Sequence, residues 1–157
     1  IVGGVIDVLE IGYNFAEEQG INPDELLELR LVDDMLPLSY QLNSVCHHSL
    51  GAVRGIKNGL FEPPKPLPSM TYREYQQMLA DTLAALEALA VDEIDALESK
   101  PLTFKFGEKE IPFISEKFVM TFSLPNLTFH AATAYDLLRK EGVALSKLNY
   151  LGKLRIG

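Results

Sequence analysis

The sequence has no tryptophan, one cysteine, three histidines and little positive charge. A lone cysteine, Cys46, excludes an intramolecular disulfide and any all-cysteine metal site, and its plain reading is a reducing compartment, the cytoplasm. Fourteen Lys and Arg against 22 Asp and Glu leave a formal charge of −8. Phosphate neutralisation by basic side chains supplies most nucleic-acid affinity, so no nucleic-acid partner is expected, and no anionic membrane surface either. The basic residues are scattered, and their one cluster, Lys147 to Arg155, is interrupted by Leu, Asn and Tyr. No run of about 18 apolar residues exists to span a bilayer, and no signal-peptide pattern opens the chain. The chain begins at Ile1, without Met and already in apolar sequence, so a few N-terminal residues are expected to precede it. HExxH, a nucleophile elbow, a phosphate-binding glycine loop and paired cysteines are all missing. Asn126-Leu127-Thr128 fits a glycosylation acceptor but falls inside an expected helix, and Ser146-Lys147-Leu148 is not at the chain end, where a peroxisomal address must stand.

What is present suits one globular domain over residues 1–157, with 47% hydrophobic and 23% charged residues. Val2, Val5, Ile6, Leu9, Tyr13 and Ala16 recur at helical spacing, and Gly20 stops that helix. Asn22-Pro23-Asp24-Glu25 reads as an N-cap, a first-position proline and first-turn acids, opening a short helix through Leu29. Asp33-Asp34-Met35-Leu36-Pro37 is expected to open the second long helix, whose stripe is Leu38, Leu42, Val45, Ser49, Ala52 and Ile56 and whose end is Asn58-Gly59. Its small residues Ser44, Ser49, Gly51, Ala52 and Gly55 permit close approach of a neighbour. Pro63, Pro64, Pro66 and Pro68 make Leu60 to Met70 an extended crossover. Thr71 and Glu74 form a capping box for the third helix, with Tyr75, Leu79, Leu83 and Leu86 inward.

Asp92 caps a short turn, and a hairpin follows. With Gly107-Glu108 as a type II′ turn, Phe106 faces Lys109, Phe104 faces Ile111, Leu102 faces Phe113 and Lys105 faces Glu110. Pro112 makes one strand an edge, so the hairpin is expected as a flap rather than part of a sheet. Ser115 caps the fourth long helix, which Pro125 breaks. It organises the chain: it carries His130, the one histidine outside the His47-His48 pair, and ends at Gly142. Four long helices and one long crossover predict an all-α four-helix bundle with a small β-hairpin between the third and fourth helices.

Three stretches then carry a resemblance: Gly20-Ile21-Asn22-Pro23 with Leu26 to Leu31, Asp34-Met35-Leu36-Pro37-Leu38 with Gln41, and Leu124-Pro125-Asn126 through His130, Tyr135 and Arg139. With Gly142-Val143, Leu145 and Tyr150-Leu151-Gly152, they resemble the domain-of-unknown-function family 1993, DUF1993, a DinB-like group of bacteria and fungi. The resemblance implies the DinB/YfiT-like four-helix bundle, whose better-known members hold a divalent metal with three histidines on two helices. Some of those members are metal-dependent thiol transferases or hydrolases. The usual histidine pair four residues apart is broken here, because Asn126 and Ala134 flank His130.

Among candidate site residues, His130 lies near the inner edge of the last helix and is the residue best suited to proton transfer near neutral pH. His47 and His48 point about 100° apart on an α-helix, so only one of them can face inward. His48 shares a face with Gln41 and Val45, which leaves His47 solvated. Cys46 reads as a small buried hydrophobe, with no helix N-terminus to activate it. The leading expectation is a small-molecule pocket walled by Gln41, Val45, His48, Phe129, His130 and Thr133 and reached from beneath the hairpin. It would serve binding or metal-free acid/base chemistry of isomerase or cyclase type, with His130 as the catalytic group, no metal and no cofactor. The alternatives are a DinB-like divalent-metal-dependent transferase or hydrolase and a non-catalytic homodimeric interaction protein. A homodimer is expected in any case.

Overall fold

The structure, a computed structural model, describes residues 1–153 and Ile156; Arg155, which ends the basic cluster, lies outside the described residues. The described chain is mostly helical, with four long helical stretches around an aliphatic core and a small three-stranded sheet at one side. Helix α1 (Val2–Gln19) buries Val2, Val5, Val8, Leu9 and Ala16 and ends at Gly20, whose left-handed φ of 69° lets its N–H reach the Ala16 and Glu17 carbonyls. Asn22 Oδ1 accepts the Asp24 N–H at 3.1 Å, starting a 3₁₀ turn, Pro23–Glu28.

The second stretch starts later than expected. Helix α2 (Leu38–Cys46) has Pro37 as its extended N-cap, and Asp33 and Asp34 stand exposed in the preceding turn. Proline disfavours a helical residue before it, so Pro37 closes the loop instead of entering the first turn. The Leu38 N–H reaches back to the Leu29 carbonyl at 2.9 Å. After α2 comes a π turn, His47–Gly51, and then α3 (Ala52–Asn58). Ser44, Ser49, Ala52 and Gly55 are buried within this chain, with Gly55 backed by Phe61.

The proline-rich crossover begins as strand β1 (Leu60–Phe61). It leads to α4 (Tyr72–Glu87), whose capping box forms as expected: Thr71 Oγ1 accepts from the Glu74 N–H, and Glu74 Oε2 accepts from the Thr71 N–H at 2.6 Å. Short α5 (Val91–Asp95) precedes β2 (Pro101–Phe106) and β3 (Lys109–Ile114). All four expected cross-strand pairs form, and Gly107 takes φ 60° while Glu108 keeps a negative φ, as a type II′ turn requires. The hairpin is nevertheless not a free flap. Strand β1 pairs parallel to β2, giving the order β1-β2-β3. Two residues are too few to leave a period-2 signal, so β1 was invisible in the sequence. The Thr103 N–H bonds the Gly59 carbonyl at 3.0 Å, on the β1 side. Pro112, paired with Thr103, therefore turns its nitrogen to the open edge and costs no ladder bond.

The fourth stretch is segmented as α6 (Ser115–Phe118), a second π turn (Val119–Ser123) and α7 (Leu124–Lys140), followed by α8 (Lys147–Leu151). Ile114 is the cap, and Ser115 is the first helical residue. Pro125 follows directly on the π turn, with Ser123 and Leu124 at helical φ/ψ, so the expected break there does not occur and the helix runs on through it. Two clusters fill the interior. One is aliphatic, around Leu9, Leu42, Val45, Leu79 and Leu138. The other holds Ile56, Phe61, Leu102 and Phe118, with Phe104, Phe113 and Phe122 packed against it.

Candidate functional site: an imidazole cluster between the cores

The π turn after Cys46 decides where the histidines go. One widened turn rotates the residues after it relative to those before, and Phe61 then spans both side chains, 4.4 Å from the His47 ring and 5.5 Å from the His48 ring between centroids. The two imidazoles lie 5.2 Å apart. His47 is thus half-buried rather than solvated, and its Nε2–H donates to the Glu62 carbonyl at 2.8 Å. The crossover, not the helix, supplies its partner.

His130, on α7, meets this pair from the other side. Its ring stacks with that of His48, 5.8 Å between centroids and 13° between planes. Its Nδ1 lies 2.7 Å from Gln41 Oε1, and Gln41 Nε2 donates to the Leu36 carbonyl at 2.8 Å. Because the Gln41 amide is oriented by Leu36, its oxygen must accept. His130 Nδ1 therefore carries the proton, and Nε2 carries the lone pair. Tyr40 and Phe129 flank the ring at 6.0 and 5.3 Å.

Burial sets the charge state. It is the largest effect holding His48 down to about 3, followed by repulsion from His47 and His130, and it holds His130 down to about 4, followed by repulsion from His47. Burial lowers His47 too, against the opposing hydrogen bond to Glu62. All three are neutral near pH 7. Only Ser44 Oγ and His48 Nδ1 are sealed without a partner among the described residues. His130 Nε2, His47 Nδ1 and His48 Nε2 likewise have no protein partner but are not among the sealed atoms.

Of the residues named from the sequence, Gln41, His48 and Phe129 surround His130. Val45 is fully buried in the aliphatic core, and Thr133 is buried with its hydroxyl on the Phe129 carbonyl at 2.8 Å. Sequence reasoning missed Tyr40, which the start of α2 at Pro37 places, and His47, Phe61 and Phe122, which the π turns and β1 bring in. Other residues line surface clefts, among them an opening of about 660 Å³ between Val53, Ile94 and Met120. The hairpin packs on the aromatic cluster, Phe104 lying 4.5 Å from Phe122 between ring centroids. Cys46 is half-buried, and burial pushes its thiol up, away from reactivity.

A family model described as domain of unknown function, DUF1993, matches residues 2–151. The chain belongs to this family. A solved structure of a DinB family member from Shewanella denitrificans is similar over 100% of this chain and 88% of its own, with a TM-score of 0.78 and 23% identity. That likeness concerns the fold alone. No curated protein matches.

A DinB-like fold raises the question of a three-histidine metal ion, and the DUF1993 chain answers it with its own side chains. Among the described residues, no three His, Cys, Asp or Glu side chains group as ligands. Imidazole lone pairs lie in the ring plane, so the stacked rings of His48 and His130 direct theirs along parallel planes that meet at no common ion. Asn126, one turn before His130, spends its amide Nδ2 on the Phe122 carbonyl at 2.7 Å. The donor set does not fit the ion.

Proposed function

We propose that this DUF1993 protein is a small-molecule-binding helical bundle whose ligand docks against His130, with Nε2 as the polar anchor and Tyr40 and Phe129 as apolar flanks. The observation that carries this reading is the chain from the Leu36 carbonyl through the Gln41 amide to His130 Nδ1. It holds one tautomer and leaves an unsealed lone pair without a partner, an arrangement that packing alone does not call for. His130 would also be the acid/base group of an isomerisation or cyclisation. Its value near 4, however, leaves it a weak base at neutral pH, whereas efficient proton transfer wants a pKa near the working pH. Recognition is therefore favoured over catalysis.

The test is a fragment screen by NMR on untagged protein, paired with thermal melting of His130→Ala. Fragments should shift the His130 ring signals of the wild type, and the variant should lose them with little change in melting temperature. A stability loss of about 1 to 3 kcal/mol in the variant, with no fragment reaching the wild-type ring, would make His130 a packing residue. About one tightly held divalent ion per chain would instead return the metalloenzyme reading.

A further inference from the structure

We propose that the His130 face takes a neutral hydroxyl carried on an aromatic ring, a phenol, in preference to an anion or an ether; this rests on the small-molecule reading above. The argument is an inventory of hydrogen bonds. A neutral imidazole has one N–H and one lone pair. His130 spends its N–H on Gln41 and offers a lone pair at Nε2; His47 spends its N–H on Glu62 and offers a lone pair at Nδ1. The His48 ring bonds nothing, and its Nδ1 is sealed. A buried N–H without a partner is rarer than a buried acceptor without one, so the sealed atom carries the lone pair and the proton sits on Nε2. The stacked pair, His130 and His48, thus offers one acceptor and one donor, both uncharged, while the His47 lone pair lies against Gly51.

A hydroxyl both donates and accepts, and so matches that face. A carboxylate only accepts and would need an imidazolium opposite it, which burial of these rings opposes. The charges acting on His48 and His130 are those of neighbouring imidazoles, and the nearby Glu62 contributes its carbonyl rather than its carboxylate. The protein as a whole is negative by 8, which further disfavours an anion. The aromatic body follows from the flanks. Phe129 is 56% exposed beside His130, and Tyr40 stands edge-on to the imidazole at 68°, so an aryl ring has an edge and a face to pack on.

Phenol, anisole and benzoate make the test, titrated into the whole protein while the imidazole signals of His130 and His48 are followed by NMR. Phenol should shift both rings saturably, with anisole and benzoate weaker by at least about tenfold, the discrimination one lost hydrogen bond supplies. His130→Phe should erase the preference for phenol while its circular dichroism stays unchanged; where that variant does not fold, the wild-type ring signals decide alone. Anisole or benzoate binding at the same rings as tightly as phenol would overturn the ligand class and leave the site standing. If none of the three moved the ring signals, the ligand class and the site reading would fall together.

Discussion

The two hydrophobic clusters are built by different rules. The aliphatic one, around Leu9, Leu42, Leu79 and Leu138, is filled mainly from α-helix at ordinary helical spacing, with Leu26 and Leu27 from the 3₁₀ turn and Val143 and Leu145 from the loop after α7. The aromatic one, around Phe61 and Phe118, is bordered by both π turns and by the sheet. A widened turn leaves a carbonyl without its usual amide, and the two turns help one another: Ser123 Oγ, at the end of one, donates to the His48 carbonyl in the other at 2.8 Å, fully inside the protein. Regular helix suffices where leucines meet leucines. Where rings from a sheet and a crossover must also fit, both helices give up their register, and the histidines are delivered at that seam.

The sharpest way to break this comparison is to empty the aromatic cluster. Phe118 has no exposed surface and touches Phe61, Phe113 and Phe122 at 4.9, 5.7 and 5.6 Å between ring centroids. Phe118→Ala should cost about 3 to 5 kcal/mol in urea unfolding, the range for a buried aromatic cut to alanine. A loss below about 1 kcal/mol would show that the sheet side is loosely attached and contributes little to the fold.

The same contrast explains what could be read in advance. Caps at Gly20 and Thr71, the hairpin register and the aliphatic stripes follow from local rules, and the sequence states them in the open. The π turns carry no residue signature, so the statement that His47 and His48 must diverge was sound for an α-helix and failed for this one. Gln41 and Phe129 as neighbours of His130 were legible from helix faces, as was His48. Tyr40 and Phe61 were not, because their positions depend on how Pro37 starts a helix and how β1 joins the sheet. The kink expected at Pro125 does not form: the helix runs from the π turn into α7 at ordinary helical angles.

Acid should find the seam first. An imidazole that titrates near 6.5 in the unfolded chain, but near 4 at His130 and 3 at His48 in the folded one, takes its proton in the unfolded chain first. Stability that is full above about pH 6.5 is therefore lost as pH falls toward those folded values. The slope is up to about 1.4 kcal/mol per pH unit for each group, and less for half-buried His130, where solvent screens the penalty. Urea midpoints measured at pH 7, 6 and 5 should decline steadily, before most carboxylates titrate. A flat profile over that range would mean the imidazoles are better solvated than their packing indicates.

The smallest expected effect separates the two cores most finely. Gly51 closes the first π turn with an ordinary helical φ of −60°, so nothing in its backbone demands glycine. In regular helix, Gly→Ala gains about 0.5 to 1 kcal/mol, because alanine loses less freedom on folding. Here a Cβ would stand 3.3 Å from His47 Nδ1, tighter than ordinary contact, and the imidazole is tied at its far side to Glu62. Gly51→Ala should therefore gain less than about 0.5 kcal/mol, as the crowding offsets the propensity, and the His47 ring signals should shift in NMR. The full gain with unmoved ring signals would mean that His47 has room to spare. The cluster would then be looser than its stacking and hydrogen bonds describe, and the seam would be no more constrained than the leucine core beside it.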